Sequence, residues 1–97
     1  MPAYEHQIKK AASRGDLVSI NHRITAYLET YFDVLLALNE QTHPGEKRLI
    51  QLCCELCTVL PEHFEGNLSA LLRNMYAAPE KLSDDLDAIK AELEKIL

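Results

Sequence analysis

Between Asp16 and Asn39 the apolar residues Leu17, Ile20, Ile24, Tyr27, Tyr31, Val34 and Leu38 recur in steps that alternate between three and four positions. That period marks one face of an α-helix. Leu28 and Leu35 widen the stripe, while His22, Thr25, Glu29 and Asp33 fall on a polar face. From Val34 to Leu38 every residue is apolar, so this end is expected to be enclosed on all sides. A helix over Leu17–Leu38 is therefore the central element that everything else must cover. Only three Gly and four Pro occur in the 97 residues, which favours a few long helices over many short strands.

The flanking segments repeat the pattern. Residues 3–13 place Tyr4, Ile8 and Ala11 or Ala12 on one face, Gly15 supplies a helix stop, and Asp16 is a good N-cap for the central helix. Asn39 to Gly45 reads as a loop closed by Pro44-Gly45. A third helix is expected from Glu46 to Val59, with Leu49, Leu52, Cys53, Leu56 and Leu60 inward and Pro61 ending it. After a link over Glu62–Gly66, Asn67 caps a fourth helix with Leu68, Leu71, Leu72, Met75 and Tyr76 inward. Pro79 opens the last, whose face is Leu82, Leu86, Ile89, Leu93 and Ile96. The fold class is all-α: a single domain over residues 1–97, a compact bundle of about five helices, mostly antiparallel.

Charge narrows the function. The net charge is −5, which argues against general nucleic-acid binding, because phosphate contacts need clustered Lys and Arg. Residues 1–48 are balanced, with Lys9, Lys10, Arg14, Arg23, Lys47 and Arg48 against an equal number of acids. Residues 49–97 hold the whole deficit, so a local basic site belongs to the first half. The opening residues lack the basic head and apolar run of a signal peptide, and no apolar stretch has the length of a membrane span. Three cysteines, at positions 53, 54 and 57, suit reduced thiols and a cytoplasmic setting better than a disulfide framework.

No complete catalytic apparatus is present. A redox Cys-x-x-Cys belongs at a helix start after a strand, whereas Cys54 and Cys57 fall inside an expected helix and Cys53 and Cys57 join its apolar face. These thiols read as buried and inert. His6, His22, His43 and His63 are scattered without metal-ligand spacing. Asp84, Asp85 and Asp87 open the last helix, where the dipole favours acids. Neither a metal nor a cofactor is expected. What stands out is the segment from Leu38 to Leu49, where polar and cationic groups leave the apolar end of the central helix together. Lys47 and Arg48 are expected in the first turn of the third helix, where cations are mildly unfavourable to the helix and useful to an anion.

Four stretches carry a resemblance. Ala12-Ser13-Arg14-Gly15-Asp16, Leu35-Leu36-Ala37-Leu38-Asn39, His43-Pro44-Gly45-Glu46-Lys47-Arg48-Leu49 and Leu60-Pro61-Glu62-His63-Phe64 resemble the C-terminal helical domain of an uncharacterised family of nucleotidyltransferase-like proteins. That family is distantly similar to the kanamycin nucleotidyltransferase group. The resemblance extends from about Tyr4 to Leu97. It implies a partner, the catalytic nucleotidyltransferase domain, whose Gly-Ser step and paired Asp residues have no counterpart here. It also implies a role for the helical domain in covering the nucleotide site, shaping the acceptor pocket and dimerising. Arg14, Asp16, Asn39, Pro44, Gly45, Lys47 and Arg48 match the pattern. The substrate-binding candidates are Asn39, His43, Lys47, Arg48 and Arg14, with Pro44 and Gly45 shaping the turn.

The expected function is that of an accessory, substrate-binding helical domain, not catalytic alone. The alternative is a free-standing helical module for protein–protein interaction or homodimerisation. A helical ribonuclease or antitoxin-type bundle would carry an Arg followed a few residues later by a His on one helix, and no such pair occurs.

Overall fold

Gly15 adopts a φ of +66°, a left-handed conformation that suits glycine, and it ends the first helix, α1 (Pro2–Ser13). The N–H of Asp16 donates to Ala11 O at 3.0 Å and that of Gly15 to Ala12 O at 3.1 Å, which satisfies the carbonyls a helix end leaves bare. Asp16 then caps the second helix, α2 (Leu17–Leu38), by accepting from the Ser19 N–H. The computed structural model describes residues 2–97. It continues with α3 (Leu49–Leu56), α4 (Phe64–Ala77), a 3-10 turn (Pro79–Lys81) and α5 (Leu82–Ile96), with no strand among the described residues.

The 22 residues of α2 span about 33 Å at 1.5 Å per residue, most of the molecule's 38 Å long dimension. Its inward residues Ile20, Ile24, Tyr27, Tyr31 and Leu35 are buried. So are Ile8 and Ala11 of α1, Leu68 and Leu71 of α4, and Leu82, Leu86, Ile89 and Leu93 of α5. Phe32 meets Phe64 edge to face at 6.2 Å, and Asn21 Nδ2 donates to the Tyr76 hydroxyl at 3.1 Å. The early residue of α2 thus pairs with the late one of α4 and the reverse, so these helices run antiparallel. Tyr31 lies 6.4 Å from Phe64 with near-parallel rings and 5.5 Å from Phe32 edge-on, arrangements that add to simple area burial.

Several expectations at element edges are corrected. The third helix covers only Leu49–Leu56, not Glu46–Val59, because Arg48 takes a left-handed φ of 56° and Cys57 is extended. The fourth begins at Phe64 rather than after Asn67, since burial of the Phe64 ring against Tyr31 and Phe32 draws its start forward. Leu17, Leu56, Leu72 and Tyr76 are exposed, not inward. The end of α2 is covered on one side only: Leu35 and Leu36 are buried, whereas Ala37 and Leu38 are exposed. Glu5 was not foreseen in the core. It is the one buried charged residue among those described, placed inward by its three-residue step to Ile8. Neither its Oε1 nor the Tyr27 hydroxyl finds a hydrogen-bond partner. Burial first, and the Glu5 charge second, push the Tyr27 phenol above its ordinary range.

The end of α2 repeats the geometry of the end of α1 without a glycine. Gln41 N–H donates to Leu36 O at 2.9 Å and Glu40 N–H to Ala37 O at 3.1 Å, with Glu40 in the left-handed position at φ 55°. A non-glycine residue is strained there, so Glu40→Gly is expected to stabilise the protein by about 0.5–1 kcal/mol. Gly15→Ala should destabilise it by about 1 kcal/mol or more through backbone strain alone, since an added Cβ would meet nothing within 4 Å. Urea unfolding of the two variants checks both signs.

Candidate functional site

Asn39 holds the first piece of the site in place. Its Nδ2 donates to Leu35 O at 2.9 Å and to Val59 O at 2.8 Å, and its Oδ1 accepts from the Val59 N–H at 2.8 Å. One side chain thus pairs both backbone groups of Val59, as a neighbouring strand would, and draws Val59 out of the helix. Gln41 Nε2 adds a bond to Leu56 O at 3.3 Å. The chain between these clamps turns at His43-Pro44-Gly45, where His43 Nδ1 accepts from the Gly45 N–H at 3.0 Å. Gly45 has a φ of +95°, which only glycine adopts easily.

Beside this loop opens a cleft of about 910 Å³, within the range of ligand-sized pockets. Helix α2 lines it with Thr25, Leu28, Glu29, Phe32 and Asp33, and α4 with Glu65, Ser69 and Leu72. The remaining wall is His43, Glu46, Arg48, Leu49, Ile50 and Gln51. Leu28, Phe32, Leu49, Ile50 and Leu72 give an apolar floor. Glu29, Asp33, Glu46 and Glu65 give four carboxylates, against one guanidinium from Arg48. None of the four takes part in an ion pair among the described residues.

The structure brings His43 and Arg48 together at this cleft. Lys47 is exposed beside them and is not part of the lining. Asn39 has both amide hydrogens committed to backbone carbonyls, so its evident work is to hold the loop. Arg14 lies at the opposite end of α2, where its Nη2 bonds Asp16 Oδ2 at 3.1 Å, about 33 Å of helix away from Asn39. Arg14, with Ser19, holds the Asp16 carboxyl below its ordinary value, the Ser19 hydroxyl and N–H contributing most. The expectation that Lys47 and Arg48 sit inside a helix's first turn is also corrected: both precede α3, with Arg48 as its N-cap. Arg48 therefore stands at the cleft directly ahead of the first turn of α3, whose Leu49, Ile50 and Gln51 share the lining. The α2 and α4 residues of the cleft were missed, because Glu29 and Asp33 looked like a solvated face. A signal was available in the second apolar step from Leu28 to Phe32, adjacent to those acids.

Cys53 and Cys54 are not activated. Burial pushes Cys53 up to about 12, with Cys57 and Cys54 adding to the effect. Cys54 is raised too, by desolvation first and then by Glu65, whose Oε2 it faces at 4.0 Å. A redox or nucleophilic cysteine needs the opposite shift. Among the described residues no group of three or more His, Cys, Asp or Glu is placed to hold a metal ion, and no helix is long and apolar enough to cross a membrane. Compared with protein-family models, with curated proteins and with solved structures, the chain matches none.

Two outcomes follow from this geometry. Asn39→Ala is expected to cost about 1–3 kcal/mol, since it removes both hydrogen bonds that tie Val59 to the end of α2, and to raise hydrogen exchange at the Val59 amide. A change within about 0.5 kcal/mol would show that the clamp is not needed. Titration with an aromatic disulfide reagent near pH 8 should label Cys54 first and the half-buried Cys57 more slowly, with Cys53 reacting only as the protein unfolds. Early loss of the Cys53 thiol would contradict its burial.

Proposed function

We propose that this is a non-catalytic helical domain of a nucleotidyltransferase-like protein. In this reading its α2–α4 groove packs against the catalytic domain, and its loop end borders the acceptor pocket. The observation that carries the proposal is the cleft itself. It is ligand-sized, has an apolar floor and polar rim, and has at its mouth two residues, His43 and Arg48, of the His43–Leu49 stretch that bears the resemblance. Among the described residues the carboxylates around the cleft are not grouped to hold a metal ion, whereas nucleotidyl transfer needs carboxylates gathered to hold magnesium at the phosphates. Chemistry would then belong to the catalytic domain, and binding and orientation to this one.

The isolated chain is expected to show no magnesium-dependent turnover of nucleoside triphosphates, and activity lost on changing one of its residues would defeat the proposal. In a protein carrying the catalytic domain, Lys47→Ala with Arg48→Ala should leave stability within about 0.5 kcal/mol, as for ordinary surface changes. Acceptor use should fall about 10- to 100-fold, the effect of losing a charge-assisted contact of about 1.5–3 kcal/mol. Steady-state kinetics and a urea melt on the same variant separate the two effects. Full activity would reduce the loop to a connector.

A further inference from the structure

On α2 the cleft is walled by the row Asp33, Glu29 and Thr25, about 12 Å or two helical turns, and on α4 by Glu65, Ser69 and Leu72. One turn beyond Thr25, Asn21 bridges to the Tyr76 hydroxyl of α4 at 3.1 Å. The feature is thus a short groove with an apolar floor between two antiparallel helices. Such a surface accepts the apolar face of a third helix, read out at every third or fourth residue.

Charge identifies which helix. Glu29 and Asp33 stand on one wall and Glu65 on the other, with Glu46 at the loop end. Among the described residues the ion pairs lie elsewhere, as Lys9–Asp87, Arg14–Asp16, His63–Glu62 and Lys95–Glu92. The carboxylates on both walls are left for an incoming cation. A second copy of this chain would bring a further −5 of net charge to an already acidic groove, and a nucleic acid would bring more. A small polyamine would match the walls but leave the floor uncovered.

We propose that the groove between α2 and α4 receives an amphipathic helix whose apolar stripe is flanked by Lys or Arg, supplied by the domain against which this one packs. The proposal rests on the reading of this groove as the docking face. Its probe is a synthetic peptide of about fifteen residues, with Leu at helical spacing flanked by Lys, alongside the same peptide with Glu for Lys. Calorimetry and backbone amide shifts on the full chain are the readouts. The Lys peptide should shift amides of α2 and α4 along the groove and bind at least about tenfold more tightly than the Glu peptide. It should weaken severalfold as salt rises from about 50 to 200 mM.

Glu29→Lys with Glu65→Lys should abolish that preference, and Glu29→Gln with Glu65→Gln should reduce it should the reversal impair folding. Equal binding of the two peptides, shifts confined to other faces, or indifference to the glutamate changes would overturn the proposal. So would spermine binding as tightly as the peptide, or a dimer in sedimentation that buries the groove, since either names a different occupant. The two proposals fail separately. Charge-selective peptide binding with acceptor use untouched by the Lys47/Arg48 change removes the nucleotidyltransferase reading and keeps the groove's occupant. The converse result removes the occupant alone.

Discussion

An apolar surface on α2 wider than any one neighbour can hide sets the arrangement of the whole chain. The stripe through Ile20, Ile24, Tyr27, Tyr31 and Leu35 is enlarged by Leu28, Phe32 and Leu36. Helix α1 folds back through the Gly15 turn to cover part of it. Helix α4 covers another part through Phe64, Leu68 and Leu71, and α5 closes the side between α1 and α4. What remains falls to α3. Its eight residues reach only about 12 Å, too little to follow α2 along its length. The floor of the groove, Leu28 and one side of Phe32, is what α3 leaves uncovered. Hydrophobic burial and the groove are therefore two results of one mismatch in helix length.

The shortness of α3 has its own causes, and they lie outside the helix. At its start Arg48 occupies a left-handed conformation, so the turn over residues 46–48 cannot be read as helix. At its end the Asn39 side chain captures both polar groups of Val59. Backbone groups bound in this way are withdrawn from the helical ladder, and Pro61 then removes the option of resuming it. Asn39 thus does two things with one amide: it closes α2 by bonding Leu35 O and ties the segment after α3 to that end by holding Val59.

This explains which parts of the molecule were legible in the sequence. The span of α2 rests on seven apolar positions in alternating steps, and the turn before it on Gly15 and Asp16, which act through local chemistry alone. Both follow from neighbours in the chain. The edges of α3 do not, since the bond that sets one of them joins Asn39 to a residue twenty positions away. The left-handed residues Glu40, Arg48 and His63 are no easier to foresee, because none is a glycine, the residue that this conformation favours. At the cleft the loop half, His43 and Arg48, was legible as a concentration of polar groups after an apolar run. The helical half was not, because an acid beside an open groove and an acid beside bulk water have the same pattern along the chain.

The charge balance of residues 1–48 shows how much such a pattern conceals. Along the sequence that half is neutral, which left room for a basic site within it. Folding separates the two signs. Lys9 and Arg14 stay near α1, each bonded to a carboxylate, while Glu29, Asp33 and Glu46 gather around the cleft and Glu65 of the second half joins them. Arg48 is left facing four acids. An approaching charge therefore meets the summed field of these groups and not that of Arg48 alone. Beside the acceptor contact proposed for it, the guanidinium has a second use. It marks one end of an otherwise acidic groove, and a helix with a dipole and an asymmetric set of cations would feel that end as distinct from the other. The groove's charge selects the sign of what binds, and Arg48 gives it a direction.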